Sequence, residues 1–249
     1  MSDIRSFTYA GYEHLITGLM DKGYVFSSYS DWDRHDKCVI LRHDIDYSVM
    51  KAERIAKIEN DLGVTSTYFF LLTSDMYNVF SKSSVKTIEN LILLGHDIGL
   101  HFDETTYPDA YGNEERIRDL ILKEAKILEE ITGRPVSSVS MHRPSKEILD
   151  AGFERPGMIN SYGKTFFESF KYVSDSRRRW REPVDEIIES GEYDRLHILT
   201  HPFWYNDAEC DIHTCVAGFV NSANAQRYRI MGDNITDISA IMDKEEIRQ

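Results

Sequence analysis

The stretch Cys38-Val39-Ile40-Leu41-Arg42-His43-Asp44-Ile45-Asp46 decides how the rest of the chain is read. It opens on four apolar residues without in–out alternation, as in a strand buried on both faces. Polar chemistry follows at once: a guanidinium, an imidazole and two carboxylates fall within the next five residues. A dinucleotide-binding unit would place a glycine-rich turn here, and none is present. That favours a barrel over an open doubly wound sheet.

Outward from this stretch, short apolar runs recur at residues 67–72, 98–100, 136–141, 171–173 and 196–199. Helical patterns separate them. Residues 48–62 place Ala52, Ile55, Ala56, Ile58 and Leu62 near one side and stop at Gly63. Residues 82–94 do the same with Val85, Ile88, Leu91 and Ile92 and stop at Gly95. Residues 113–132 start at Asn113, carry Ile117, Leu120, Ile121, Leu128 and Ile131 on one stripe, and end before Gly133 and Pro135. Strand and helix in alternation predict an α/β fold with a parallel sheet and right-handed crossovers.

With 249 residues, 41% of them hydrophobic, the chain can bury a sizeable core. Its net charge of −13 argues against a nonspecific nucleic-acid or polybasic membrane binder. No apolar run approaches the ~18 residues of a membrane span, and Met1-Ser2-Asp3-Ile4-Arg5 lacks the layout of a signal peptide. A cytoplasmic location is therefore expected. Three cysteines do not make a disulfide framework, and Cys210 with Cys215 is too few thiols for a metal site of their own. A single domain over residues 1–249 is expected, with helical additions at 1–37 and 210–249 packed on the barrel. Helices are predicted in these additions at 7–20, 211–226 and 235–247.

Parallel sheets gather their functional groups at the carboxyl ends of the strands. Four of the nine histidines, His43, His101, His142 and His201, follow or end predicted strands. Asp44, Asp46, Asp103, Glu104, Arg143 and Asp175 stand in the same places. Histidine with aspartate suits Zn²⁺ or a similar divalent ion, and the cluster can supply metal ligands, a base and an acid for hydrolysis. The Gly-x-Ser-x-Gly elbow of serine hydrolases is missing.

Leu41-Arg42-His43-Asp44-Ile45-Asp46, Gly95-His96-Asp97-Ile98-Gly99-Leu100-His101, His142-Arg143-Pro144, Ser174-Asp175-Ser176 and Leu199-Thr200-His201-Pro202 together resemble the five ordered motifs of the polysaccharide deacetylase superfamily (NodB-like domains). They look most like its branch with an Arg-His-Asp-x-Asp first motif. The resemblance implies a distorted (β/α) barrel of about seven parallel strands. It also implies metal-dependent removal of an acetyl group from an N-acylated amino sugar of surface-polysaccharide biosynthesis. By position, Asp44 resembles the general base and Arg143 the arginine that pairs with it. Asp175 resembles the carboxylate that orients the acid His201, and Asp46 and His101 resemble metal ligands. Where the family has a second metal histidine this chain has Thr105. His142 is the favoured replacement, with Asp103, Glu104 and His43 as the other candidates. His96 is expected to face away from the site.

Two other readings are a metal-dependent phosphoesterase on a similar barrel and an inactive sugar-binding or assembly module. Arg177-Arg178-Arg179-Trp180 reads either as a grip on the phosphate of a nucleotide- or lipid-linked sugar or as a solvated loop. Phe203, Trp204 and Tyr205 read equally as a sugar-stacking wall or as core, and Phe166, Phe167 and Phe170 as core.

Overall fold

The computed structural model describes residues 3–151 and 157–247; residues 1–2, 152–156 and 248–249, and with them the ends of the expected 1–249 domain, lie outside the described set. The chain divides into two compact units, Met1–Asp207 and Ala208–Gln249. Among the described residues the first unit carries every strand.

Its strands are β1 (Val25–Ser27), β2 (Cys38–Ile45), β3 (Thr67–Leu71), β4 (Asp97–Phe102), β5 (Ser138–Met141), β6 (Ile159–Asn160), β7 (Lys171–Ser174) and β8 (Arg195–Thr200). Seven lie on one path in the order β6-β5-β4-β3-β2-β8-β7. Every ladder is parallel. Strand β2 is the hub. All eight of its residues are buried. On one side Cys38–His43 pair with β8; on the other, β1 pairs with Cys38–Ile40 before β3 takes over at Arg42–Ile45.

The sheet curls into the expected distorted barrel, and two hydrogen bonds measure the curl. Ser140 Oγ on β5 donates to Asp44 Oδ2 on β2 at 3.1 Å. In a flat sheet three strand spacings would separate those strands by about 14 Å. Arg42 on β2 likewise reaches Ser161, just past β6, four strands away. Among the described residues β6 and β7 share no ladder, so backbone hydrogen bonds do not close the barrel.

Helices α1 (Tyr9–Asp21), α2 (Val49–Asp61), α3 (Lys82–Leu93) and α4 (Glu114–Thr132) match the predicted patterns to within two residues at each end. Short helices α5 (Lys146–Ala151), α6 (Lys164–Glu168) and α7 (Val184–Ser190) follow. Thr8 caps α1 by accepting from Gly11 N–H, and the helix buries Tyr12, Leu15, Ile16 and Leu19. Each such side chain contributes roughly 1.5–3 kcal/mol. Asn113 caps α4, which ends at Gly133 in the left-handed conformation (φ 63°) that a residue lacking Cβ adopts without strain. Gly99 is required for space: a Cβ there would collide with the Phe69 ring, its neighbour across the β3–β4 ladder.

The second unit holds α8 (Ile212–Gly232), capped by Asp211, and α9 (Ile238–Ile241). The expected helix over 235–247 is thus only four residues long, followed by a turn of 3-10 helix at Lys244–Glu246. No helix among the described residues is long and apolar enough to cross a membrane.

Candidate metal and catalytic site

Alternation along β2 sorts its polar residues onto two faces. Arg42 and Asp44 face the barrel interior; His43 faces the helices. His43 Nε2 lies 2.8 Å from Glu59 Oε1 on α2, and its Nδ1 lies 2.6 Å from Thr200 Oγ1. His43 is therefore no ligand. His96 also faces away from the site, against Ser66 and the Ala56 carbonyl.

Asp46, His101 and His142 converge at the carboxyl ends of β2, β4 and β5, each offering a donor atom within 4.8 Å of the others. Asp46 Oδ1 lies 3.3 Å from His101 Nε2 and 3.3 Å from His142 Nδ1, and the two nitrogens are 3.1 Å apart. The edge of a tetrahedron with metal–ligand bonds of about 2.0–2.1 Å is roughly 3.3 Å, so the triangle fits one face of a zinc-like coordination shell. Asp46 Oδ1 is buried without a hydrogen-bond donor, as an oxygen reserved for a cation would be. Burial works against the Asp46 charge, but His101 and His142 hold its carboxyl well below the usual range. Burial also opposes charge on His101, yet Asp44 and Asp46 push it up. The pocket draws positive charge.

Backbone and neighbouring side chains fix each of these three candidate ligands. His101 Nδ1 donates to the Ser140 carbonyl at 3.2 Å, which leaves Nε2 as the lone pair facing Asp46. The His142 N–H donates to the Phe102 carbonyl at 2.7 Å, extending the β4–β5 ladder and setting His142 beside His101. Tyr77 donates to the Ile45 carbonyl and Ser74 to the Asp46 carbonyl, bracing the end of β2. Of the other candidates for Thr105's role, Asp103 accepts from Thr105 and Glu104 from Ser145, so both are engaged in the local turn. Thr105 itself is exposed.

Asp44 sits beside the triangle, with Oδ2 4.0 Å from His101 Nε2. That oxygen accepts from Ser140 Oγ and, at 3.4 Å, from Arg42 Nη2. Oδ1 is buried with no partner and is free to receive a proton. His201 Nε2 stands 4.0 Å from Asp46 Oδ2. Its Nδ1 lies 2.6 Å from Asp175 Oδ1, and its backbone N–H donates to the same carboxylate at 3.0 Å. Burial lowers the His201 pKa, but the Asp175 charge and hydrogen bond, with Asp46 and Asp44, raise it to about 9.

The arginine at Asp44 differs from the one expected. Arg143 is exposed and has no ion pair among the described residues, whereas Arg42 is fully buried against Asp44, its guanidinium 4.7 Å from the Tyr162 ring centroid. A signal was present in the sequence: Arg42 is two residues from Asp44 and shares its face of the strand. Sequence reasoning also missed Ser140, Ser161, Tyr77 and Lys51. Lys51 donates to the carbonyls of Phe203 and Tyr205 and to Asn206 Oδ1, each at 2.8 Å, and so holds the loop behind His201. Phe203, Trp204 and Tyr205 are buried core, as are Phe166 and Phe170, while Phe167 is exposed.

No protein-family model matches the chain, and no curated protein is significantly similar to it. Solved structures do match. A family 4 carbohydrate esterase from Bacillus anthracis is 14% identical, with 85% of this chain and 84% of that chain covered and a TM-score of 0.44. The catalytic domain of a peptidoglycan N-acetylglucosamine deacetylase from Eubacterium rectale is 14% identical, covering 83% and 90%, with a TM-score of 0.47. A CE4 family pseudoenzyme from Bacillus anthracis is 17% identical with a TM-score of 0.46; 77% of this chain is covered, and it spans only 62% of that protein's length. Likeness of this degree assigns no activity, and the site must be read from its own residues.

Proposed function

We propose that the protein is a metal-dependent hydrolase that removes an N-acyl group, acetyl in the first instance, from an amino sugar. The observation that carries this reading is the Asp46–His101–His142 triangle, flanked by a carboxylate with a free oxygen and by a histidine oriented through Asp175. A divalent cation, Zn²⁺ by the donor set, would supply Lewis-acid polarisation of the acyl carbonyl and acidify a water. Asp44 Oδ1 takes the proton of the attacking water while Arg42 and Ser140 hold Oδ2. His201 gives its Nε2 proton to the departing amine. Asp175 fixes the tautomer and orientation of that imidazole.

The phosphoesterase alternative has less support, since a two-metal centre needs a second set of ligands about 3.5–4 Å away. Among the described residues the triangle is the single group of three or more His, Cys, Asp or Glu with metal-binding spacing. The inert-module alternative leaves the acid and base unexplained. Placement in cytoplasmic surface-polysaccharide biosynthesis, and the packing of residues 210–249 on the barrel, rest on the sequence reading alone. The test is acetate release from N-acetylglucosamine derivatives. Replacing Asp44 with Asn should lower turnover by about 10²–10⁴ in chains verified as folded, and should also lower the thermal midpoint, because Arg42 loses its buried partner. A folded Asp44→Asn chain with undiminished turnover removes Asp44 from the mechanism.

A further inference from the structure

Three of the four non-glycine residues with positive φ among the described residues are arginines in the loops that follow β5 and β7: Arg143 (47°), Arg177 (61°) and Arg178 (56°). A left-handed backbone disfavours residues with a Cβ, and arginine has no short polar side chain to relieve it, so the surroundings must impose it. They do. Arg143 follows His142, whose N–H is pinned to Phe102, and precedes Pro144. The turn after β7 is closed by Arg179 N–H on the Asp175 carbonyl and Arg181 N–H on the Ser174 carbonyl. Both arginine loops therefore leave directly from residues of the site.

Charge is the second observation. The chain carries 42 acidic against 29 basic residues, yet the side chains of Arg143, Arg177 and Arg179 are exposed and paired with no described carboxylate. Arg178 plays a different part and lies over the Phe7 ring at 5.1 Å. Exposed guanidinia beside a hydrolytic centre match a phosphate, which accepts their forked hydrogen bonds, and add little for a neutral sugar chain.

We propose that the substrate carries a phosphate group held by Arg143, Arg177 and Arg179 on the loops that leave β5 and β7 next to His142 and Asp175. This deepens the hydrolase reading and rests on it. The chemical class is a sugar diphosphate, on a nucleotide or on a lipid.

Two measurements on the full chain test it. The first is calorimetric titration with inorganic pyrophosphate of the natural chain and of an Arg143→Ala, Arg177→Ala double variant. Any share that a bound cation takes is common to both chains. The affinity of the double variant should be about tenfold lower or worse, with a shallower salt dependence. The second compares kcat/KM for UDP-N-acetylglucosamine with that for N-acetylglucosamine and its neutral oligomers. The natural chain should prefer the diphosphate, and the double variant should lose that preference through KM. Replacing UDP-N-acetylglucosamine with N-acetylglucosamine 1-phosphate shows whether the nucleotide itself adds affinity. Equal pyrophosphate affinity in the two chains, or an unchanged preference, overturns the phosphate site even if acetate is released. Arginine-dependent pyrophosphate binding without acetate release from any of these sugars keeps the anion site and overturns the hydrolase reading.

Discussion

A guanidinium with no exposed surface must find its charge balance inside the fold, and Arg42 finds it at Asp44. Truncating one member of a buried ion pair leaves the other uncompensated, which costs about 3–5 kcal/mol. Arg42→Met should lose stability on that scale in urea unfolding, and a loss under about 1 kcal/mol would show that the pair is not buried as described. His201 makes a pH prediction. Its pKa in the fold, about 9, is raised above the ordinary value of about 6.5. The associated stabilisation is thus complete below pH ~6.5 and lost as pH rises towards 9, on the order of 2–3 kcal/mol. Unfolding of chelator-treated protein at several pH values should show this decline, and His201→Gln should flatten it. A bound cation beside Asp46 would oppose protonation of His201, so the slope should also shrink when metal is restored.

The two faces of β2 carry different jobs. Its inner face presents Arg42 and Asp44 to the site. On its outer face His43 joins a buried cluster around Glu59, which accepts from Tyr12 at 2.5 Å, Tyr68 at 2.6 Å and Ser66 at 2.8 Å. Burial opposes the Glu59 charge, but His43, with His96 and Tyr12, brings its pKa to about 2. Glu59→Leu would strand those donors and should cost about 3–5 kcal/mol by denaturant unfolding, more than an exposed helix position could. The apolar stripe of α2 was legible in the sequence, but the rotation of the helix was not. Ile58 and Leu62 are only partly buried, and Glu59 turns inward because its partners arrive from α1 and β3. Strands β1 and β6 were missed because three and two residues are too few to show a period.

Across the whole molecule, the gathering of Asp44, Asp46, His101, His142, Asp175 and His201 was readable because a parallel sheet delivers strand ends to one side whatever the loops between them do. Which arginine reaches Asp44 was not readable from motif order. It depends on the curl that lets β2 contact β5 and the end of β6. The placement of His142 beside Asp46 and His101 depends in turn on one backbone bond, from His142 to Phe102, that sets neighbouring strand ends side by side. An anomalous diffraction map of zinc-soaked crystals probes that convergence directly. One strong peak per chain is expected about 2.0–2.2 Å from Asp46 Oδ1, His101 Nε2 and His142 Nδ1. A zinc peak elsewhere, or none at these three atoms at full soak, would contradict a metal-dependent site in this fold.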